Sequence, residues 1–77
     1  MHVDILKEMR DKAKTKKDGV YSHKKNFYLV ANGQLHSYSD YFGNISEHFG
    51  SFGVSKGKAR DRFEARDILK GYLKQLK

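Results

Sequence analysis

Residues 50–76, GSFGVSKGKARDRFEARDILKGYLKQL, set the reading of the whole chain. Two spaced glycines, Gly50 and Gly53, lead into Ser55, whose hydroxyl suits a helix N-cap. Ala59, Phe63, Leu69, Tyr72 and Leu76 then recur near one face at helical spacing. The spacing predicts a long C-terminal helix that opens at Ser55. Its first turn would hold Lys56 and Lys58, with Arg60 and Arg62 close behind. Cations there oppose the positive end of the helix dipole, at about 0.3–1 kcal/mol each when exposed. A bound phosphate would remove the conflict, because free backbone N–H groups and the lysines would converge on it. A solvated basic helix is the plainer reading, and the interleaving of Asp61, Glu64 and Asp67 with Arg60, Arg62 and Arg66 fits it. Gly71 weakens the helix by about 1 kcal/mol relative to alanine, so fraying is expected after Lys70.

Working outward, residues 3–16 form a second helical pattern, with Val3, Ile5, Leu6, Met9 and Ala13 as a narrow apolar stripe. Glu8 and Lys12 make a favourable i,i+4 pair, and the lysines near residue 16 suit a helix C-terminus. Asp18-Gly19 stops the helix. Val20-Tyr21 is a candidate start of an edge strand, and residues 22–26 read as a polar loop. Phe27–Ala31 and Leu35–Tyr38 flank Asn32-Gly33, a strong signal for a type I′ hairpin. An unbroken register would pair Val30 with Leu35, Leu29 with His36, Tyr28 with Ser37 and Phe27 with Tyr38. Neither face of that hairpin is polar. One face is expected to meet the helices and the other to keep aromatic surface, which could stack on unpaired bases. Asp40–Asn44 reads as a turn. Residues 46–52 are expected to supply a third strand, with a helical turn over 45–49 as the alternative. The fold class expected is α+β: one small domain over residues 1–77, with an N-terminal helix, a three-stranded antiparallel sheet and a long C-terminal helix.

So short a chain buries only about 60% of the surface its unfolded form exposes, so its stability should be modest. The 77 residues carry a net charge of +7 and contain no cysteine. Residues 1–17 hold six Lys or Arg against three Asp or Glu, residues 18–53 two against three, and residues 54–77 eight against three. The positive charge therefore lies on the two terminal segments, the usual footprint of nucleic-acid binding. An anionic membrane surface, an acidic protein partner or solubility alone would also suit it. No apolar run is long enough to span a membrane. MHVDILKEMR lacks the order of a signal peptide, and a cysteine-free chain suits the cytoplasm, the expected location.

Ser55-Lys56-Gly57-Lys58-Ala59-Arg60, preceded by spaced glycines and followed by Ala65 and Ile68-Leu69, resembles the start of the last helix of double-stranded-RNA-binding domains. Gly57 stands where that motif has a second lysine, and Phe63-Glu64-Ala65 where it has adjacent alanines. The resemblance implies an α-β-β-β-α order. It also implies Lys56, Lys58 and Arg60 on phosphates across the major groove, with His23, Lys24 and Lys25 entering a minor groove. Residues 19–34 together with 48–52 also resemble integrase-arm-type domains, in which three strands enter a DNA groove.

No catalytic constellation is present. His2, His23, His36 and His48 are scattered, without the spacing of a helical metal pair, and a His36/Glu47/His48 grouping has no motif behind it. No phosphate-binding P-loop and no G-x-S-x-G occurs. No cofactor, no metal and no enzymatic activity are expected. The leading expectation is a small basic protein that binds structured or double-stranded RNA. Its site would comprise Ser55, Lys56, Lys58, Arg60 and Arg62, with His23, Lys24 and Lys25. One alternative is a phage- or plasmid-type inhibitor or adaptor that docks on an enzyme, with RNA as a bridge in one variant. The other is sheet-mediated DNA binding. The oligomeric state stays open, a homodimer included.

Overall fold

The computed structural model describes the backbone of residues 2–49 and 52–76, and the side chains of residues 5–48 and 53–76. The elements are α1 (His2–Ala13), β1 (Gly19–His23), β2 (Asn26–Ala31), β3 (Gln34–Ser39), β4 (Asn44–Phe49), β5 (Phe52–Lys58) and α2 (Arg62–Leu76). The strands form one antiparallel sheet in the order β1-β2-β3-β4-β5, a simple meander.

This corrects the expectation of three strands. Val20-Tyr21 does lie in a strand, but β1 starts at Gly19 and takes in Ser22 and His23, and Asn26 opens β2, so the loop read over 22–26 shrinks to Lys24-Lys25; the stretch read as one third strand is two. β4 runs from Asn44, and β5 carries on through Lys58, with Glu47 opposite Val54 and Ser46 opposite Ser55. Residues 50 and 51, in the middle of the expected third strand, lie outside the described residues. Residues 55–58, expected to open the last helix, are extended. Ser55 has a hydroxyl suited to capping, but Gly57 weakens a helix, and the extended stretch gains ladder pairing with β4 along one side. Tertiary pairing here overrides a local signal.

The two helices cover opposite faces of the sheet. Leu6, Met9 and Ala13 of α1 pack on Tyr28, Val30 and Leu35, with Tyr21 and Tyr38 at the margin. Ala65 and Leu69 of α2 pack on Leu29, Ile45 and Ala59, with Val20, Phe27, Ile68 and Tyr72 beside them. The alternation along β2 explains the split, since Tyr28 and Val30 face one way and Leu29 the other. The expectation that one sheet face would stay open and aromatic is therefore corrected: Tyr28 and Leu29 are both fully buried. The side chain of Val3, assigned to the α1 stripe by its spacing, lies outside the described residues. In α2 the buried stripe is Ala65 and Leu69, whereas Phe63 and Leu76, expected on it, are about half exposed. The helix runs on past Gly71 to Leu76 without the expected break after Lys70.

Asn32 (φ 55°) and Gly33 (φ 72°) form the expected hairpin turn. Val30 pairs with Leu35 as read from the sequence, but the register then shifts, and Leu29 pairs with Ser37 and Tyr28 with Tyr38. His36 is the extra residue of a bulge. Without it, Leu35 and Tyr38 would project to opposite faces; with it, both reach the α1 side.

Candidate functional site

In a meander the turns that follow odd-numbered strands all fall at one end of the sheet. The β1–β2 turn (Lys24, Lys25), the β3–β4 turn (Tyr41, Phe42) and the β5–α2 connection (Ala59–Asp61) are therefore neighbours despite their separation in sequence. The start of α2 adds Arg62, Phe63 and Arg66 to the same end.

The β3–β4 turn is tied down by hydrogen bonds. Asp40 accepts hydrogen bonds from the backbone N–H groups of Phe42 (2.9 Å) and Asn44 (3.0 Å) and from Asn44 Nδ2 (2.9 Å). The Ala59 N–H donates to the Gly43 carbonyl at 2.8 Å, which locks this turn to the β5–α2 connection. Tyr41 and Phe42 stand out from it, 53% and 68% exposed, with their rings edge to face at 5.4 Å. They form a ridge between two hollows. One, about 460 Å³, is lined by Lys58, Arg60, Asp61, Arg62 and Phe63. The other, about 390 Å³, is lined by Ile5, Lys24, Lys25, Asn26, Asp40 and Asn44.

Rings hold Lys25 and Arg62 at this end, and Arg66 shares rings with a carboxylate, Asp67 at 3.3 Å. The Arg62 guanidinium lies 4.6 Å from the Phe63 ring centre, 5.7 Å from Phe27 and 5.8 Å from Tyr41. Arg66 lies over Phe27 at 5.6 Å and Phe63 at 5.7 Å, and Lys25 over Tyr41 at 5.4 Å. Each such contact at an exposed site is worth about 0.5–1 kcal/mol and orients the cation. Among the described residues, no carboxylate lies within ion-pair distance of Lys25, Lys58 or Arg62. Arg60 is 82% exposed and approaches Asp61 at 3.8 Å and Glu64 at 3.9 Å, contacts that contribute little in water.

The β1–β2 turn is strained. Lys24 (φ 49°) and Lys25 (φ 67°) both occupy the left-handed region that glycine and asparagine favour. The β2–β3 turn of the same sheet meets the same demand with Asn32-Gly33. Two lysines in its place cost about 1 kcal/mol or more each, and strain of that kind gathers where a side chain is needed. Glu8 steadies the turn: its carboxylate lies 2.6 Å from His23 Nε2 and 3.1 Å from Lys24 Nζ. Hydrogen bonds from His23 and then Lys24 hold the Glu8 carboxyl below its ordinary pKa. The Glu8–Lys12 pair read from the sequence is replaced by this one.

The start of α2 is not the anion cradle expected at Ser55. The helix begins at Arg62, and Asp61 is its N-cap, accepting from the N–H groups of Phe63 (3.0 Å) and Glu64 (2.9 Å). Glu64 reaches back to the Arg60 N–H at 3.1 Å. The chain's own carboxylates thus satisfy the donors that a phosphate would have taken.

Of the residues expected at a site, Lys24, Lys25, Lys58, Arg60 and Arg62 come together at this end. His23 lies at the same turn but is engaged by Glu8. Ser55 and Lys56 do not join them. Ser55 sits on β5 opposite Ser46, and Lys56 is the extra residue of a bulge between Ser55 and Gly57. Its Nζ lies 3.7 Å from Glu47 and 5.1 Å from the centre of the Tyr72 ring. Tyr41, Phe42, Phe63 and Arg66 were missed. Tyr41-Phe42 carried a readable signal, since two large rings are out of place in a turn where Gly, Asn, Asp and Ser prevail. His36 and Glu47 come within 3.9 Å, but His48 alternates to the other face of β4. Among the described residues no three His, Asp or Glu side chains gather as metal ligands. No described helix is long and apolar enough to cross a membrane.

Comparison with protein families, with curated proteins and with solved structures finds no match for this chain.

Proposed function

We propose that this chain is a non-catalytic nucleic-acid-binding module of the cytoplasm, taking RNA ahead of DNA, with its contact surface at the turn end of the sheet. The observation that carries the reading is the grouping of Lys25, Lys58 and Arg62, without carboxylate partners among the described residues, around the exposed Tyr41–Phe42 ridge. The strained Lys24-Lys25 turn supports it, because a turn of that geometry needs no lysine for its own stability. Cations beside exposed rings suit RNA, whose loops and ends display phosphates and splayed bases together. The phosphate contacts are assigned to the turn end and not to a helix N-terminus.

The test is fluorescence anisotropy of labelled RNA across a salt series. Each phosphate neutralised contributes about −0.7 to −0.9 to the slope of log K against log salt. Lys25→Ala/Lys58→Ala should weaken binding and flatten that slope by about 1.5. Lys56→Ala, on the α2 face of the sheet, should change neither. Equal affinity of the double variant and the wild type would remove the reading.

A second reading is docking on an acidic protein. Tyr and Arg together in one exposed cluster are the residue types that anchor protein interfaces. Retention of a protein partner after nuclease treatment would favour it.

A further inference from the structure

We infer that the ligand crosses the Tyr41–Phe42 ridge as an unpaired strand, with bases stacked on the exposed rings and its backbone gripped on both sides. This rests on the nucleic-acid reading above and names its substrate class. The ridge separates two hollows, and each has its own cations. Lys24 and Lys25 lie on one side, and Lys58, Arg60 and Arg62 on the other. A backbone spanning both would place its intervening nucleotides over the ridge. The larger hollow, about 460 Å³, is within the range of pockets that hold flat organic groups. Phe42 and Phe63 are 68% and 49% exposed at its rim, and Phe42 belongs to neither of the two cores.

A duplex gives these rings little to do. Its base faces are buried in the stack, so a protein meets only phosphates, sugars and groove edges. Rings standing out from the turn find no base face to stack on along a duplex. An unpaired strand offers both partners at once, since every base has a face for a ring and a phosphate for a cation. The Asp40 hydrogen bonds and the Ala59–Gly43 bond hold the ridge in place before the ligand arrives, so little ordering is required on binding.

The experiment compares single-stranded oligouridine, a blunt RNA duplex of equal length and polyglutamate as competitors for the protein, with wild type, Phe42→Ala and Lys25→Ala/Lys58→Ala. The expected result is preference for the single strand over the duplex. Phe42→Ala should lose about 5- to 150-fold in oligouridine affinity, the range for loss of one stacked base, with the salt slope unchanged. Circular dichroism should show Phe42→Ala folded, because its ring is outside both cores. Duplex bound as tightly as the single strand, or Phe42→Ala indistinguishable from wild type, would overturn the inference. If the double lysine variant were still impaired in that case, nucleic-acid binding itself would stand. Polyglutamate competing as well as oligouridine would also overturn it, in favour of an acidic protein partner. Failure of the wild type to bind any of the three would overturn both readings.

Discussion

Replacing Gly43 by alanine should destabilise this protein well beyond the same change at Gly33, the other described turn glycine with a positive φ. Gly43 sits at φ +84° between the ridge and Asn44, and a Cβ there would lie 2.8 Å from the Ala59 carbonyl oxygen and 3.0 Å from the carbonyl carbon and oxygen of Asp61. All three obstacles are backbone, held by the Ala59–Gly43 hydrogen bond and the Asp61 cap, so none can swing aside. A left-handed conformation costs a residue with a Cβ about 1–2 kcal/mol, and overpacking against an unyielding surface adds about 1–3 kcal/mol. The sum is about 2–5 kcal/mol. A domain of this size has about 4–12 kcal/mol in total. At about 4–8 °C per kcal/mol, the melting temperature should fall by at least about 8 °C. Gly33→Ala is the control. Gly33 has a similar φ of +72° but nothing within 4 Å of its added Cβ, so only the conformational part applies, about 1–2 kcal/mol. Thermal and urea unfolding of both variants measure the difference directly. If Gly43→Ala melts within a degree or two of Gly33→Ala, the packing of the β3–β4 turn on the β5–α2 connection is wrong, and so is the shape of the ridge.

Gly71→Ala should raise stability by about 0.5–1 kcal/mol, since the added Cβ meets nothing within 4 Å and alanine is the better helix former; an unchanged melting temperature would mean that α2 ends before residue 71. Lys25→Gly should move stability and binding in opposite directions, relieving about 1 kcal/mol of turn strain while weakening RNA binding in anisotropy titrations. Burial, and then the charge of Arg10, depress the pKa of His48, and its Nδ1 is buried without a hydrogen-bond partner among the described residues. The folded state therefore disfavours the imidazolium, and the stability His48 contributes is complete above its unfolded pKa of about 6.5 and lost as the pH falls through the lower folded value. Urea midpoints should decline from pH 7 to pH 5 in the wild type and less so in His48→Gln. The sign is the same for Glu8, at lower pH. Its lowered carboxyl contributes above about 4.5 and loses that contribution as protonation sets in below, so Glu8→Gln should flatten the acid limb of the stability curve.

Three particulars show where reading along the chain succeeds and where it stops. Asn32-Gly33 announced its hairpin because both residues tolerate positive φ, a property of the residues themselves. The register beyond Val30–Leu35 was hidden, because the bulge at His36 answers to α1, which requires Leu35 and Tyr38 on one face. The true helix cap was also present in the sequence, as Asp61 with Glu64 three residues on. Ser55 competed with it on equal local terms, and only β4 lying alongside settled the choice in favour of Asp61.

The same division holds for the site. Net charge, the basic chain ends and the basic residues at 24–25 and 58–62 are facts of composition and order, and they raise the expectation of a polyanion without a fold. Residue types alone could not say that Lys24, Tyr41 and Arg62 share one end, or that Lys56 turns away to Glu47 and Tyr72. Those placements follow from strand count. With five strands in a meander, the turns after β1 and β3 and the exit from β5 lie together, and an odd number of crossings delivers the chain to α2 at that end. The hairpin pairings themselves are short-range, such as Glu47 with Val54 and Ser39 with Ile45. What holds the five strands as one sheet is the packing of Leu69 of α2 near Leu29 and of Met9 of α1 near Val30 and Leu35, partners that no local window contains.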